Sequence, residues 1–470
     1  METFLLLGGL SLGQVPGAHH SVEELLRETD WATAEVESAL LVSQYLRTDT
    51  TNPPGNESEG VEFLQEVLNR EGIESTRVQL EEGRESLFAR LEGSGTEGPL
   101  CLVSHIDVVP AEPENWSIPP DQGRLHAGAI WGRGALDMKA VGALHLQAFR
   151  MLGRLDLPLQ RDVVLIAVAD EEVGNRGIQQ LIHDHWDQLG CSHAINEGGI
   201  GLVDPIFEDQ NLYAISVGEK GVLWVRISVS GDPGHGSTPR PNQSPNLLLD
   251  TINRILEPSP DFSPPEAFLE LARIAGQHQG GFAGLLLQRP FAVRHLLKRR
   301  FLRNPITAAG TTNTINLTGL EGAVAPNVVP SESSALLDIR LLPGTSTDDM
   351  LQTLQDRIND DRVTIEILTA REAEVSPMDD PVYHALAKAS ERFTPGAIAA
   401  PAISVGFTDS VFLRQQGVHA YGLAPFLLTE EEIQGMHGND ERISLENLAR
   451  GLRITWAALL ELALYEEESR

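Results

Sequence analysis

Hydrophobic and polar positions fall into two textures along this chain. Over residues 32–47 and 61–70 apolar side chains recur at helical spacing, with the loop Asn52-Pro53-Pro54-Gly55 between them. Short, strongly apolar runs follow at 86–91, 100–105 and 162–169, and a further helical pattern covers 138–152. Helices alternating with such runs predict an α/β fold, a sheet covered on both faces. Near residue 213 the texture changes. Residues 214–217 and 223–229 alternate apolar with polar, the period of a half-exposed strand. A helical pattern at 244–255 and strand patterns at 313–317 and 334–341 continue this second texture. The first texture then returns with a helix at 347–358, a strand at 363–368 and a last helix at 445–468. The pattern predicts a mixed-sheet α/β domain formed by 22–212 and 343–470, interrupted by a small α+β lid over 213–342. Within the lid, a stretch at about 257–309 opens Pro-rich and continues with helical segments at 265–275 and 282–301, without a readable motif.

The composition is that of an ordinary globular chain, 41% apolar with 43 Gly and 28 Pro among 470 residues. The net charge of −32 makes nucleic acid and anionic membrane surfaces poor partners. One basic cluster, Lys298, Arg299, Arg300 and Arg303, reads as the solvated face of a helix. No apolar stretch reaches the ~18 residues of a membrane span. The two cysteines, Cys101 and Cys191, form no CxxC pair; Cys101 reads as a buried strand residue, and no disulfide framework is expected. Residues 4–12 are apolar and Val15-Pro16-Gly17-Ala18 suits a signal cleavage site, but Met1-Glu2-Thr3 has no Lys or Arg. The expectation is a cytoplasmic protein, with an N-terminal signal and export as the alternative.

The chemistry concentrates at strand ends. Ser104-His105-Ile106-Asp107 closes the apolar run 100–103. Strand residues two apart face the same way, so the Asp107 carboxylate is expected to accept the second ring N–H of His105 and fix its tautomer. A stabilising strand-end pair is the alternative. In Gly132-Arg133-Gly134-Ala135-Leu136-Asp137-Met138-Lys139 the glycines allow a tight turn, and Asp137 suits a helix N-cap. Asp170-Glu171-Glu172 ends the run 163–169, where carboxylates are costly unless something positive pairs with them. No Lys or Arg lies closer in sequence than Arg176, which favours a metal. Adjacent strand residues diverge, so Glu171 and Glu172 are expected to differ in role, one ligand and one base. Glu197, after the short run 193–195, and His437, in a loop before the last helix, complete an oxygen-and-nitrogen donor set. Such a set suits zinc, with cobalt or manganese as substitutes. HExxH is absent, so a single-zinc helix site is not expected.

In order, the chain carries His105-Ile106-Asp107-Val108-Val109-Pro110, Trp116, Gly132 to Lys139, Asp170-Glu171-Glu172-Val173-Gly174, Asn196-Glu197-Gly198-Gly199, Gly218-Glu219-Lys220-Gly221, Gly234-His235-Gly236-Ser237-Thr238-Pro239, Asn327-Val328-Val329-Pro330, Asp338-Ile339-Arg340, Thr408-Asp409 and His437-Gly438. This series resembles the co-catalytic di-zinc peptidases, the family of glutamate carboxypeptidase, aminoacylase, succinyl-diaminopimelate desuccinylase, carnosinase and carboxypeptidase S. Trp116, Glu197-Gly198-Gly199 and the long insert look most like the carboxypeptidase S and N-acyl-amino-acid hydrolase branch. The resemblance implies two zinc ions per chain bridged by Asp137. Glu172 and His437 would complete one site, His105 and Glu197 the other. It also implies Glu171 as general base, His235 on the lid as oxyanion donor, and Asn327 and Arg340 as carboxylate holders. A salt bridge between Arg340 and Asp338 is that residue's alternative role. The family often reads Gly-Gly-Thr-Asp where this chain has Gly406-Phe407-Thr408-Asp409, and a Phe there would narrow the pocket.

The function implied is hydrolysis of a C–N amide bond in small peptides with a free α-carboxylate, by a water held between two zinc ions. Hydrolysis of N-acyl amino acids is the alternative, and a catalytically silent metal-binding protein a more remote one. Some relatives dimerise through the lid; an enlarged lid could instead supply that surface within one chain, so a homodimer and a monomer both remain open.

Overall fold

A computed structural model describes residues 21–323 and 325–465. The segment on which the export alternative rests lies outside the described residues. Eight strands form the main sheet, in the order Ser75–Glu81, Arg84–Leu91, Val163–Val168, Leu100–His105, His193–Leu202, His419–Leu428, Leu212–Glu219 and Ile398–Ser404. The central strands Val163–Val168, Leu100–His105, His193–Leu202 and the start of His419–Leu428 run parallel. Both faces are covered. The fully buried runs at 100–105 and 163–168 have no solvent face, which explains why they read as continuous apolar segments. Helices Lys139–Leu155 and Leu445–Ala463 pack on one face around Leu144, Phe149, Leu452 and Trp456. Ile178, Leu181 and Leu413 cover the other. The strands at 398–404 and 419–428 and the helix Pro381–Phe393 were not predicted from the apolar pattern.

A smaller antiparallel sheet runs in the order Thr314–Glu321, Glu332–Leu341, Gly221–Ser230 and Val363–Arg371. Helices Ser244–Leu256 and Thr347–Ile358 cover one face through Leu248, Ile252, Leu354 and Ile358, packed on Val225, Ile227 and Leu337. Sheet membership differs from the division expected at 213 and 343. The strand Leu212–Glu219 pairs in parallel with Ile398–Ser404 of the main sheet, and the strand Val363–Arg371 pairs with Gly221–Ser230 of the small one. An alternating strand looks the same whichever sheet it joins, so hydropathy misses both crossings.

The stretch at 257–309 folds as several short helices around Phe262, Ala272, Leu287 and Phe301. Its helix Glu266–Gln279 lies against the edge strand Ile398–Ser404, where Ala275 is buried with Leu212, Ile398 and Ala400. The insert thus rests on the main sheet. Gly276 is needed there, since a Cβ would come 2.5 Å from the carbonyl oxygen of Gly284. Lys220, between the two sheets, donates to the carbonyls of Ala309 and Thr312 at 2.9 and 2.8 Å and anchors the end of the insert.

The expectation about cysteines is corrected: Cys101 and Cys191 form a disulfide, with Cα atoms 5.8 Å apart. Parallel pairing of Leu102 with Ile195 brings the two segments together from a sequence separation of 90, a contact that spacing alone does not signal. No helix among the described residues is long and apolar enough to cross a membrane.

Candidate metal centre

The parallel strands end along one edge of the main sheet, and their ends carry the polar groups. His105 closes its strand and is 2% exposed. Its Nδ1 donates to the backbone carbonyl of Asp107 at 2.9 Å, and the Asp107 carboxylate stands 3.7 Å off. The tautomer is therefore set by the Asp107 backbone, and the expected side-chain contact is corrected. With Nδ1 protonated, Nε2 carries a lone pair. It faces Asp137 Oδ1 at 3.0 Å and Glu197 Oε1 at 3.5 Å. The other Asp137 oxygen, Oδ2, lies 3.1 Å from His437 Nε2, which is 3.3 Å from Glu172 Oε1. Asp137 thus offers one oxygen to each histidine.

The surrounding residues hold these side chains by polar contacts distant in sequence. Freed from His105, the Asp107 carboxylate accepts the backbone N–H groups of Glu171 and Glu172, both at 3.1 Å, and the Asn52 amide at 2.8 Å. It therefore shapes the acidic turn. Asp170 has cationic partners after all: Arg84 at 2.9 Å and Arg176 at 2.6 Å. Arg84 also pairs with buried Glu57. Asp137 is not an N-cap, since Met138 precedes the helix from Lys139. Buried Glu441 instead accepts the N–H groups of Leu136 and Asp137 at 2.6 and 3.2 Å, with Arg133 as its counter-ion at 2.5 Å.

Among the described residues no Lys or Arg pairs with Asp137, Glu171, Glu172 or Glu197. Burial, with Glu197, Asp409 and Glu172 adding repulsion, raises the Glu171 carboxyl well above its usual range despite His105. Burial and Asp137 do the same to Glu197. Burial pushes Asp409 up to about 7 although Asn175 donates to it at 3.0 Å. Burial alone would lower His105, yet Glu197, Asp137 and Glu171 hold it well above its ordinary value. The hydrogen bond to Asp137, with the negative charge of the Glu172 carboxylate beside it, lifts His437 to about 10. These shifts are toward taking up positive charge, or away from adding negative charge, as expected of a cluster short of cations. Asp137 alone among the cluster goes the other way, held below its usual range despite burial by its hydrogen bonds with His105 and His437. Glu172 Oε1 is buried and accepts no hydrogen bond, although His437 Nε2 is 3.3 Å away. Donor atoms of His105, Asp137 and Glu172, and of His105, Glu171 and Glu197, lie within 4.8 Å of one another. Two imidazoles and several carboxylates at these spacings fit divalent cations.

A cavity of about 880 Å³ opens over this cluster. The small sheet supplies its far wall through Trp224, Arg340 and Arg371, because the residues alternating with core Leu223, Val225 and Ile339 point away from the lid helices. Arg340 is held by Asp338 at 2.8 and 3.2 Å. Arg371 has no salt-bridge partner among the described residues and lies over the rings of Phe407 and Phe412 at 5.2 and 4.5 Å. Phe407 does line the cavity, where it also forms a shelf for this guanidinium. His235 and Asn327 are not part of the cavity wall. They sit at the short antiparallel pairing of Gly234–His235 with Val328–Val329, distant in sequence, where Gly236 N–H donates to Asn327 O at 2.8 Å. Sequence reasoning missed Asn52, Arg84, Glu441 and Arg371, which carry no local signal. Asp409 stood in a quoted motif without a role.

Fold and cluster together define a metal-dependent hydrolase, a sheet domain carrying its polar cluster beneath a lid. The chain belongs to Peptidase family M20/M25/M40, whose profile matches residues 101–461. The human N-fatty-acyl-amino acid synthase/hydrolase PM20D1 is 31% identical over 359 residues, covering 74% of this chain and 71% of its own. Aminoacylase-1 of Sus scrofa is 30% identical over 436 residues, 91% of this chain and 95% of its own. The M20 family metallo-carboxypeptidase Sso-CP2 of Sulfolobus solfataricus shares the fold with a TM-score of 0.66 at 18% identity, over 91% of this chain and 99% of its own.

Proposed function

We propose that this hydrolase holds two zinc ions and cleaves the amide bond of a small substrate bearing a free α-carboxylate, as a carboxypeptidase or dipeptidase. The observation that carries the reading is Asp137, with one oxygen toward His105 and the other toward His437. His105 and Glu197 would hold one ion, Glu172 and His437 the second, and Asp137 both. Bound there, such ions lower the pKa of water and polarise a carbonyl. Glu171, aimed into the cavity, takes the proton from the attacking water on its carboxylate and returns it to the leaving amine. His235 would donate to the developing oxyanion from a lid, its own or a partner's.

A second reading, hydrolysis of N-acyl amino acids, is supported by the names of the relatives at 30–31% identity and by apolar wall residues Val222, Trp224, Val405 and Phe407. Zinc-loaded protein assayed on dipeptides and N-acyl amino acids separates the two by relative kcat/KM. Chelation is expected to abolish turnover, and zinc or cobalt to restore it. Full activity in demonstrably metal-free protein would sink both readings.

The guanidiniums in the wall divide the carboxylate assignment. Arg340 is already neutralised by Asp338, whereas Arg371 has no salt-bridge partner among the described residues. Amidating the substrate carboxylate, or replacing Arg340 or Arg371 with Ala, is expected to raise KM strongly. For the residue that reads the carboxylate, combining substitution with amidation should cost little more than either alone. Additive losses for both would remove them from that role.

A further inference from the structure

A second cluster of metal-type donors lies at the other end of the same strands. His193 opens His193–Leu202, His419 opens His419–Leu428, and the two are direct partners in the parallel register. Their rings stand 5.5 Å apart at 89°. Asp380, the N-cap of the helix Pro381–Phe393, completes the group. One Asp380 oxygen, Oδ1, accepts from Val382 N–H at 2.8 Å. The other, Oδ2, is faced by both imidazoles, by His419 Nδ1 at 2.8 Å and His193 Nε2 at 3.4 Å. His193 lies four residues before Glu197, about 13 Å along the strand, so the cluster shares no residue with the centre described above.

The hydrogen-bonding around His193 leaves a place for a cation. Ser192 Oγ lies 3.1 Å from the carbonyl oxygen of Pro99, to which its hydroxyl proton can be given. Its oxygen is then free to accept from His193 Nδ1, 2.9 Å away. In that tautomer the lone pair of His193 lies on Nε2 and points at a carboxylate oxygen, whereas in the other tautomer Nε2–H donates to it. Two acceptors facing each other need a positive charge between them, either a metal ion or a proton. Of the two donor spacings, 2.8 and 3.4 Å, the second falls within the 3.0–3.5 Å between facing donors at the catalytic cluster and the first is slightly shorter. All three ligand atoms lie within 4.8 Å of one another.

We propose that His193, Asp380 and His419 form a third divalent-metal site per chain, taking zinc or cobalt through two imidazoles and one carboxylate. Its side chains are partly shielded, with His193 at 18%, Asp380 at 4% and His419 at 45% side-chain exposure, so water can fill the open coordination positions from the His419 side. An ion there ties the start of the Pro381–Phe393 helix to two central strands. It acts as a structural clamp, remote from the substrate.

The test is a difference in ion count. Chelator-stripped full-length protein is titrated with Co2+ and compared with the His193→Gln/His419→Gln variant, which leaves the Asp380 cap on Val382 intact. Wild type is expected to bind one more Co2+ per chain, with a visible absorption in the difference spectrum and a metal-dependent rise in the unfolding midpoint that the variant lacks. Because the readout is wild type minus variant, it does not depend on how many ions the catalytic cluster holds. Equal ion counts overturn the site and leave a proton-bridged imidazole–carboxylate pair. If the double variant fails to fold, His419→Gln alone, altering the most exposed of the three side chains, is read the same way.

Discussion

Glu171→Gln protein will keep its metal and lose about 10²–10⁴ in kcat, the usual range for removing a general acid–base step. Glu172→Gln protein, by contrast, will lose metal. The two side chains leave the same turn with different surroundings. Glu172 Oε1 is buried beside His437 Nε2, in the midst of the donor cluster. Glu171 borders the cavity, and its carboxyl is raised by burial and by the charges of Glu197, Asp409 and Glu172. Both backbone N–H groups are held by Asp107, so either substitution leaves the turn in place. Metal content by mass spectrometry, paired with kcat, decides the matter. Loss of zinc in Glu171→Gln with retention and full activity in Glu172→Gln would reverse the roles.

His235→Ala protein is expected to bind zinc normally and to lose about 10²–10³ in kcat, the typical cost of one oxyanion donor. His235 Nδ1 accepts the Ser237 N–H at 3.2 Å, which leaves Nε2–H as a donor on an exposed residue of the short antiparallel pair. That strand pair does not line the cavity of its own chain. To act on a substrate the imidazole would have to travel with a closing lid or serve the cavity of a second copy. Mixing His235→Ala with Glu171→Ala protein under subunit exchange distinguishes the two. If the histidine acts across a dimer, about a quarter of wild-type activity returns, since half of randomly exchanged dimers are mixed and each has one intact site. No recovery after proven exchange places it within its own chain. An unaltered kcat in His235→Ala would remove it from the mechanism.

Part of the candidate donor set stood out in the sequence because it marks a local break in pattern. His105 and Asp170-Glu171-Glu172 end strongly apolar runs, where charge is out of place without compensation. Arg371 was not legible, since a basic residue ending an exposed-looking strand reads as surface; only the small sheet's position over the Phe407 loop turns it into a cavity wall.

The sequence by itself determined the fold class and the strand ends at which the candidate donors stand, because hydropathy period and motif order are properties of neighbouring residues. Tertiary structure alone decided which sheet the strands at 212–219 and 363–371 join, that Cys101 meets Cys191, and that Arg84 and Glu441 support the acidic turn and Asp137. It also decided that His193, Asp380 and His419 meet. These contacts span tens to hundreds of residues. They are set by strand order and by the pairing of buried charges, which leave no periodic trace in the chain.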